Sequence, residues 1–150
     1  INTFNSLLEM NVIPVVNEND SVSYTEIQSE ERLFSDNDML SAVVAILCKA
    51  KKLVILSDID GLYNSDPRLH PNAKKIRQID CIDESVYSLA GGAGSRRGTG
   101  GMRTKLQAAS LAMENGTDTI ITNGKHPELL YKILDNDSVG TLFVGKHAKC

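Results

Sequence analysis

Short apolar blocks alternate with polar punctuation along this chain. Ile1, Phe4, Leu7 and Leu8 fall on one face at helical spacing, which predicts an amphipathic helix already under way at the first residue. That beginning is expected of a chain whose N-terminal portion is missing. An apolar run at 12–16 predicts a strand ending in the polar cluster NEND at 17–20. Residues 21–35 alternate weakly and predict a protruding flap. Ser35 or Asp36 is placed to cap a helix with Met39, Leu40, Val43, Val44, Ile46 and Leu47 as its inner face. Residues 53–56 then predict a buried strand, 82–90 a short helix, 102–115 a longer helix closed by Gly116, and 119–122 another strand. A helix over 127–134 and a strand over 141–144 complete the pattern.

Strands that are continuously apolar, alternating with helices, predict a mainly parallel sheet covered on both faces, an α/β fold. In such sheets ligands gather beyond the carboxyl ends of the strands. The clusters at 17–20, 57–58 and 122–123 all sit at such ends. At 150 residues, the chain suits one core and one domain, 1–150. A net charge of −3 gives no electrostatic footprint for nucleic acid. The longest apolar run, 39–48, is too short to cross a bilayer. The 3 cysteines lack CxxC spacing and the 3 histidines are scattered, so no metal-ligating set is expected and the thiols fit a reducing, cytoplasmic setting.

The densest chemical signal is GGAGSRRGTGGMRTK at 91–105. Glycines let backbone N–H groups approach phosphate oxygens, and a helix starting just afterwards adds unsatisfied donors and the positive end of its dipole. Lys105, expected on the first turn or so, leans back over the loop. Together these make a polyphosphate cradle rather than a linker ending in a surface lysine. The P-loop spacing GxxxxGK[ST] is not met, and the glycines neither follow a strand nor match a dinucleotide site, which favours a kinase. Asn17, Asn19 and Asp20 at one strand end, with Asp36, Asn37 and Asp38 at a helix start, form a second constellation. It suits an ammonium group, or the magnesium of a bound nucleotide. Read singly, Asp36 is a plain helix cap, and Glu18 and Asp20 are solvated loop charges.

Taken together, PxxNEND at 14–20, SDND at 35–38, SDxDGLYxxDP at 57–67 and GTGGMxTK at 98–105 resemble the glutamate 5-kinase branch of the amino acid kinase family. The third block is common to the wider family; the others are more specific. The resemblance implies a three-layer αβα sandwich. It implies transfer of the γ-phosphoryl group of ATP, with Mg²⁺, to the side-chain carboxylate of L-glutamate, the first step of proline biosynthesis. It implies that Asn17, Asp20 and Asn37 hold glutamate. Ser57, Asp58, Thr99, Gly100, Gly101, Met102, Arg103, Thr104 and Lys105 would hold ATP. Asp38 would orient Lys105, which would neutralise the phosphoryl group in flight. A homo-oligomer with L-proline as feedback inhibitor is also implied. An acceptor carboxylate of pKa about 4.3 is ionised at neutral pH, so no general base is needed and the shortage of histidines is no obstacle. Two departures stand out: the family's first strand, with its own lysine and phosphate loop, is absent, and Ser35 stands where a glycine is common. Another amino acid kinase (acetylglutamate, carbamate or uridylate) or a non-catalytic nucleotide-binding module are the alternatives.

Overall fold

The computed structural model describes residues 2–17, 37–90 and 99–145. The expected flap at 21–35, most of the NEND cluster including Asp20, and the glycine tract 91–98 lie outside the described residues. The elements run α1 (Asn2–Glu9), α2 (Asn37–Leu47), β1 (Lys52–Ser57), β2 (Gln78–Ile79), α3 (Glu84–Ala90), α4 (Thr99–Glu114), β3 (Asp118–Asn123), α5 (Leu129–Leu134) and β4 (Thr141–Phe143).

Four strands form one sheet in the order β1-β3-β4-β2. β1 and β3 are parallel with Leu53 beside Thr119 and Ile55 beside Ile121, and β2 and β4 are parallel too. β3 and β4 are antiparallel, so the sheet is mainly rather than wholly parallel. β2, only two residues long, had no signal in the apolar pattern.

The strand register sorts side chains between the two faces. Leu53, Ile55 and Ile121 join Leu106, Ala109 and Met113 of α4 in the main core. Val54 and Ile120 point the other way, as does Lys52, whose ammonium donates to the Ile133 carbonyl (3.3 Å) and Asn136 Oδ1 (2.6 Å) at the end of α5. Ile133, 2% exposed, anchors that short helix.

α2 lies along α4, and the contact is built from small residues. Ala42, Ala108, Ala109 and Ala112 are wholly buried and Ala45 nearly so, whereas Leu47 is 36% exposed. The expected inner face of large aliphatics on α2 is therefore corrected. Alanines let the two backbones approach closely, and the larger side chains flank the seam half-buried.

Residues 12–16 form no strand. Ile13 is 87% and Val15 96% exposed, because no strand among the described residues runs beside them to receive their backbone hydrogen bonds. α1 forms where expected, with Leu8 still exposed.

α4 begins at Thr99, not Met102, and so takes Gly100 and Gly101 into its first turn. The buried side chains of Met102 and Leu106 anchor that end and outweigh the helix penalty of about 1 kcal/mol per glycine. At the other end Gly116 adopts φ 77°, with Gly116 N–H on the Met113 carbonyl (3.0 Å) and Thr117 N–H on the Ala112 carbonyl (3.0 Å). That is the glycine stop read from the sequence.

Candidate functional site

The carboxyl ends of β1 and β3 and the amino-terminal ends of α2 and α4 carry the polar groups. Asp38, in the first turn of α2, and Lys105, in the second turn of α4, meet with Nζ 2.9 Å from Oδ2. The pair is mostly covered, at 17% exposure for Lys105 and 15% for Asp38. Lys105 is thus not a surface lysine at the end of a linker, the reading the sequence disfavoured. Thr104 Oγ1 lies 3.1 Å from the same Asp38 oxygen and 3.0 Å from the Gly101 carbonyl, and its single proton serves one or the other. Ser41 Oγ donates to the Asp38 backbone carbonyl (2.6 Å), fixing the turn from which the carboxylate projects. The alanine seam is what brings these two helix starts close enough for the ion pair.

Gly101 faces outward: a Cβ placed there would touch nothing within 4 Å. Among the described residues, no packing calls for glycine at that position. Arg103 is exposed and its guanidinium lies over the Tyr87 ring at 5.8 Å, a cation–π contact that turns it toward α3.

Beyond β1, Ser57 Oγ donates to Asp58 Oδ1 (3.2 Å), and Asp58 is exposed. Asn123, paired with Ser57 in the sheet, donates from Nδ2 to Asp60 Oδ1 (2.9 Å), while its Oδ1 accepts from Lys125 N–H (2.9 Å). Asn123 belongs to a cluster the sequence marked only as a strand end. Its hold on Asp60, 63 positions away, follows from the β1–β3 register. Burial, then the charge of Asp60 and a hydrogen bond to it, pushes the Tyr63 phenol above its usual value, so Tyr63 stays protonated at neutral pH.

The chain then makes an excursion from Leu62 to Ile76. Its two limbs pair at the neck: Ile76 N–H donates to the Leu62 carbonyl (2.8 Å) and Asn64 N–H to the Lys74 carbonyl (3.0 Å). Between the excursion and the α3–α4 corner lies a cleft of about 330 Å³. Ile59, Leu62, Leu89 and Met102 give it apolar walls; Tyr63 and Asp66 add polar edges. Of the sequence-derived residues, the structure brings Asp38, Thr104 and Lys105 into contact. Ser57 and Asp58 stand at the neighbouring strand end, and Met102 faces the cleft. Asn37 and Asn17 are exposed. Among the described residues, no group of three or more His, Cys, Asp or Glu is placed to hold a metal ion, and no helix is long and apolar enough to cross a membrane. Cys48 carries a free thiol.

The amino acid kinase family model matches residues 1–123, which span both helix starts, the β1 loop and the end of β3. The chain belongs to the amino acid kinase family. Glutamate 5-kinase of Clostridium perfringens is 52% identical over 145 residues, covering 97% of this chain and 54% of that protein. Glutamate 5-kinase of Idiomarina loihiensis is 54% identical over 142 residues, covering 95% of this chain and 37% of its own length. The chain thus spans about half, or less, of the relatives it matches. Isopentenyl phosphate kinase of T. acidophilum superposes with a TM-score of 0.53 at 27% identity, over 72% of this chain and 39% of that one. Carbamate kinase of Giardia lamblia, at 20% identity and a TM-score of 0.54 over 74% of this chain and 36% of its own, shares the fold. The expected amino acid kinase-like α/β architecture is therefore borne out.

Proposed function

We propose that this chain is the nucleotide-binding part of a glutamate 5-kinase. The reaction moves the γ-phosphoryl group of MgATP to the side-chain carboxylate of L-glutamate. The bond from γ-phosphorus to the β,γ-bridging oxygen breaks, a bond from phosphorus to a carboxylate oxygen forms, and ADP and L-glutamyl 5-phosphate result. The observation that carries the reading is the Lys105–Asp38 pair, 2.9 Å apart, near the amino-terminal end of α4. The similarity to glutamate 5-kinases over nearly the whole chain supports the choice of acceptor.

The division of labour follows from chemistry. The apolar cleft beside Leu62, Leu89 and Met102 suits a purine, with Tyr63 and Asp66 at its edge for the ribose. The first-turn amides of α4 have no intrahelical acceptor, so they suit phosphate oxygens, with Ser57 and Asp58 opposite. Asp38 holds the Lys105 ammonium in place. As charge spreads over the transferring phosphoryl oxygens, Lys105 neutralises it, and positioning rather than proton transfer accounts for the rate. Asn17, Asp20 and Asn37 would take glutamate, with Asp20 meeting its ammonium group. The same reading places the protein in proline biosynthesis in the cytoplasm, as a homo-oligomer with L-proline competing at glutamate's place.

The test is a substrate panel on the intact protein. L-Glutamate should be phosphorylated in preference to N-acetylglutamate, aspartate and UMP, because a carboxylate left without its ammonium partner is costly. Turnover of N-acetylglutamate as fast as glutamate would sink the assignment.

A further inference from the structure

The excursion that forms one wall of the cleft is pinned to the sheet by a single hydroxyl. Thr141, the first residue of β4 and wholly buried, accepts from Leu62 N–H at 2.8 Å and donates to the Ile76 carbonyl at 2.7 Å. Leu62 and Ile76 are the two ends of the excursion and are themselves paired. One oxygen therefore ties both limbs of the neck to the sheet. The approach is built in on both partners. Gly61, at φ 143°, would carry a Cβ only 2.6 Å from Thr141 Oγ1, so only a residue without one lets the loop come this near. Gly140, at φ 65°, would carry a Cβ against the Ile121 carbonyl, and its absence lets β4 begin close against β3. Thr141 lines no part of the cleft; Leu62 and Tyr63 do.

We infer that Thr141 is a positioning residue for the nucleotide: its hydroxyl holds the Leu62–Tyr63 wall at the distance the bound base requires. The inference rests on the kinase reading above. Without the hydroxyl, the buried Leu62 N–H and Ile76 carbonyl lose a shared partner and gain one only by opening toward water. Opening moves the wall and the neck together. Binding and pinning are then linked, so the nucleotide must stabilise the Thr141 hydrogen bonds as much as they favour the nucleotide.

The experiment titrates the intact protein with MgADP by calorimetry, as wild type, Thr141→Val and Thr141→Ser. Thr141→Val keeps the shape without the hydroxyl; Thr141→Ser keeps the hydroxyl. Support consists of an affinity weakened about tenfold or more in Thr141→Val at full stoichiometry, with Thr141→Ser within about twofold of wild type. A merely structural role would instead lower the number of binding sites and leave the affinity alone, and that result overturns the inference, as does an unchanged titration. Should Thr141→Val not fold, amide exchange on the wild type decides. MgADP should slow exchange of the Leu62 N–H about tenfold or more, and an unchanged rate overturns the inference. Wild-type protein that binds no MgADP at all would remove the kinase reading itself, and this inference with it.

Discussion

Two buried polar side chains show how differently a single group can be used. Lys105 sits near the positive end of α4, where the dipole opposes a cation, and is held by Asp38. Removing it takes a charged partner from a mostly covered carboxylate. Lys105→Ala should therefore lower stability by roughly 1.5–3 kcal/mol, the range for hydrogen bonds to charged groups. The larger loss should be catalytic: kcat down about a hundredfold or more, because charge neutralisation is strongest in the transition state. Lys105→Arg should recover little, since a planar fork does not replace a compact ammonium. Retention of more than half of wild-type kcat by Lys105→Ala would remove the phosphate role. Thr119 is the opposite case. Its side chain is wholly buried on the core face of β3, and its hydroxyl has no hydrogen-bond partner among the described residues. Thr119→Val removes an unsatisfied group without changing shape. It should raise the urea midpoint, with unchanged slope, by the equivalent of about 1 kcal/mol.

At the scale of elements, helix ends explain both what the sequence revealed and what it hid. The end of α4 was legible because a glycine marks it. α2 stops by the same geometry, with Ala50 N–H on the Ala45 carbonyl (2.8 Å), but the residue at positive φ is Lys49 (52°), which carries no stop signal. The start of α4 was misplaced because Gly100 and Gly101 argue against helix, and packing of Met102 and Leu106 overrides that preference. The α2–α4 seam was hidden because alanine is weakly apolar, and the larger residues drew the inner face toward themselves. α3 offers a test of a cap. Asp83 Oδ1 accepts from Val86 N–H (3.1 Å) and Ser85 Oγ (2.6 Å). The Ser85 hydroxyl first, and then the Val86 amide, hold the Asp83 carboxyl below its ordinary 3.8. A lowered folded value means that the stabilisation is present above pH 3.8 and is lost as pH falls through the lower folded value. The Tm difference between wild type and Asp83→Ala should be constant from about pH 7 to about pH 5 and shrink below the ordinary value. A difference that persists undiminished in strong acid would mean that the cap acts by shape rather than charge.

At the scale of the whole molecule, the sequence disclosed the layers and the family motifs but not the pairing. The antiparallel join of β3 and β4, and the two-residue β2, depend on long-range backbone partners that no local pattern encodes. The same holds for the site. Asp38 and Lys105 are 67 positions apart, and Thr141 reaches Leu62 across 79. Motif order suggested the first pair; nothing local suggested the second. The site thus joins two bodies of structure: helix starts that carry charge, and a sheet-pinned excursion that shapes a mostly apolar cleft. A ligand that spans both should tie them together, and its parts should be separable by melting. A ligand present at about a hundredfold its Kd stabilises by about 2.7 kcal/mol, and in a domain this large each kcal/mol raises Tm by about 2–4 °C. Adenosine, reaching only the cleft, should raise Tm modestly, and MgADP and MgATP progressively more. In Lys105→Ala the adenosine increment should remain, because the cleft is intact. The added increment of MgATP over adenosine should shrink, because the phosphates have lost their cation. Equal loss of all three increments would show that Lys105 supports the fold of the cleft, and equal retention would place the triphosphate elsewhere on the surface.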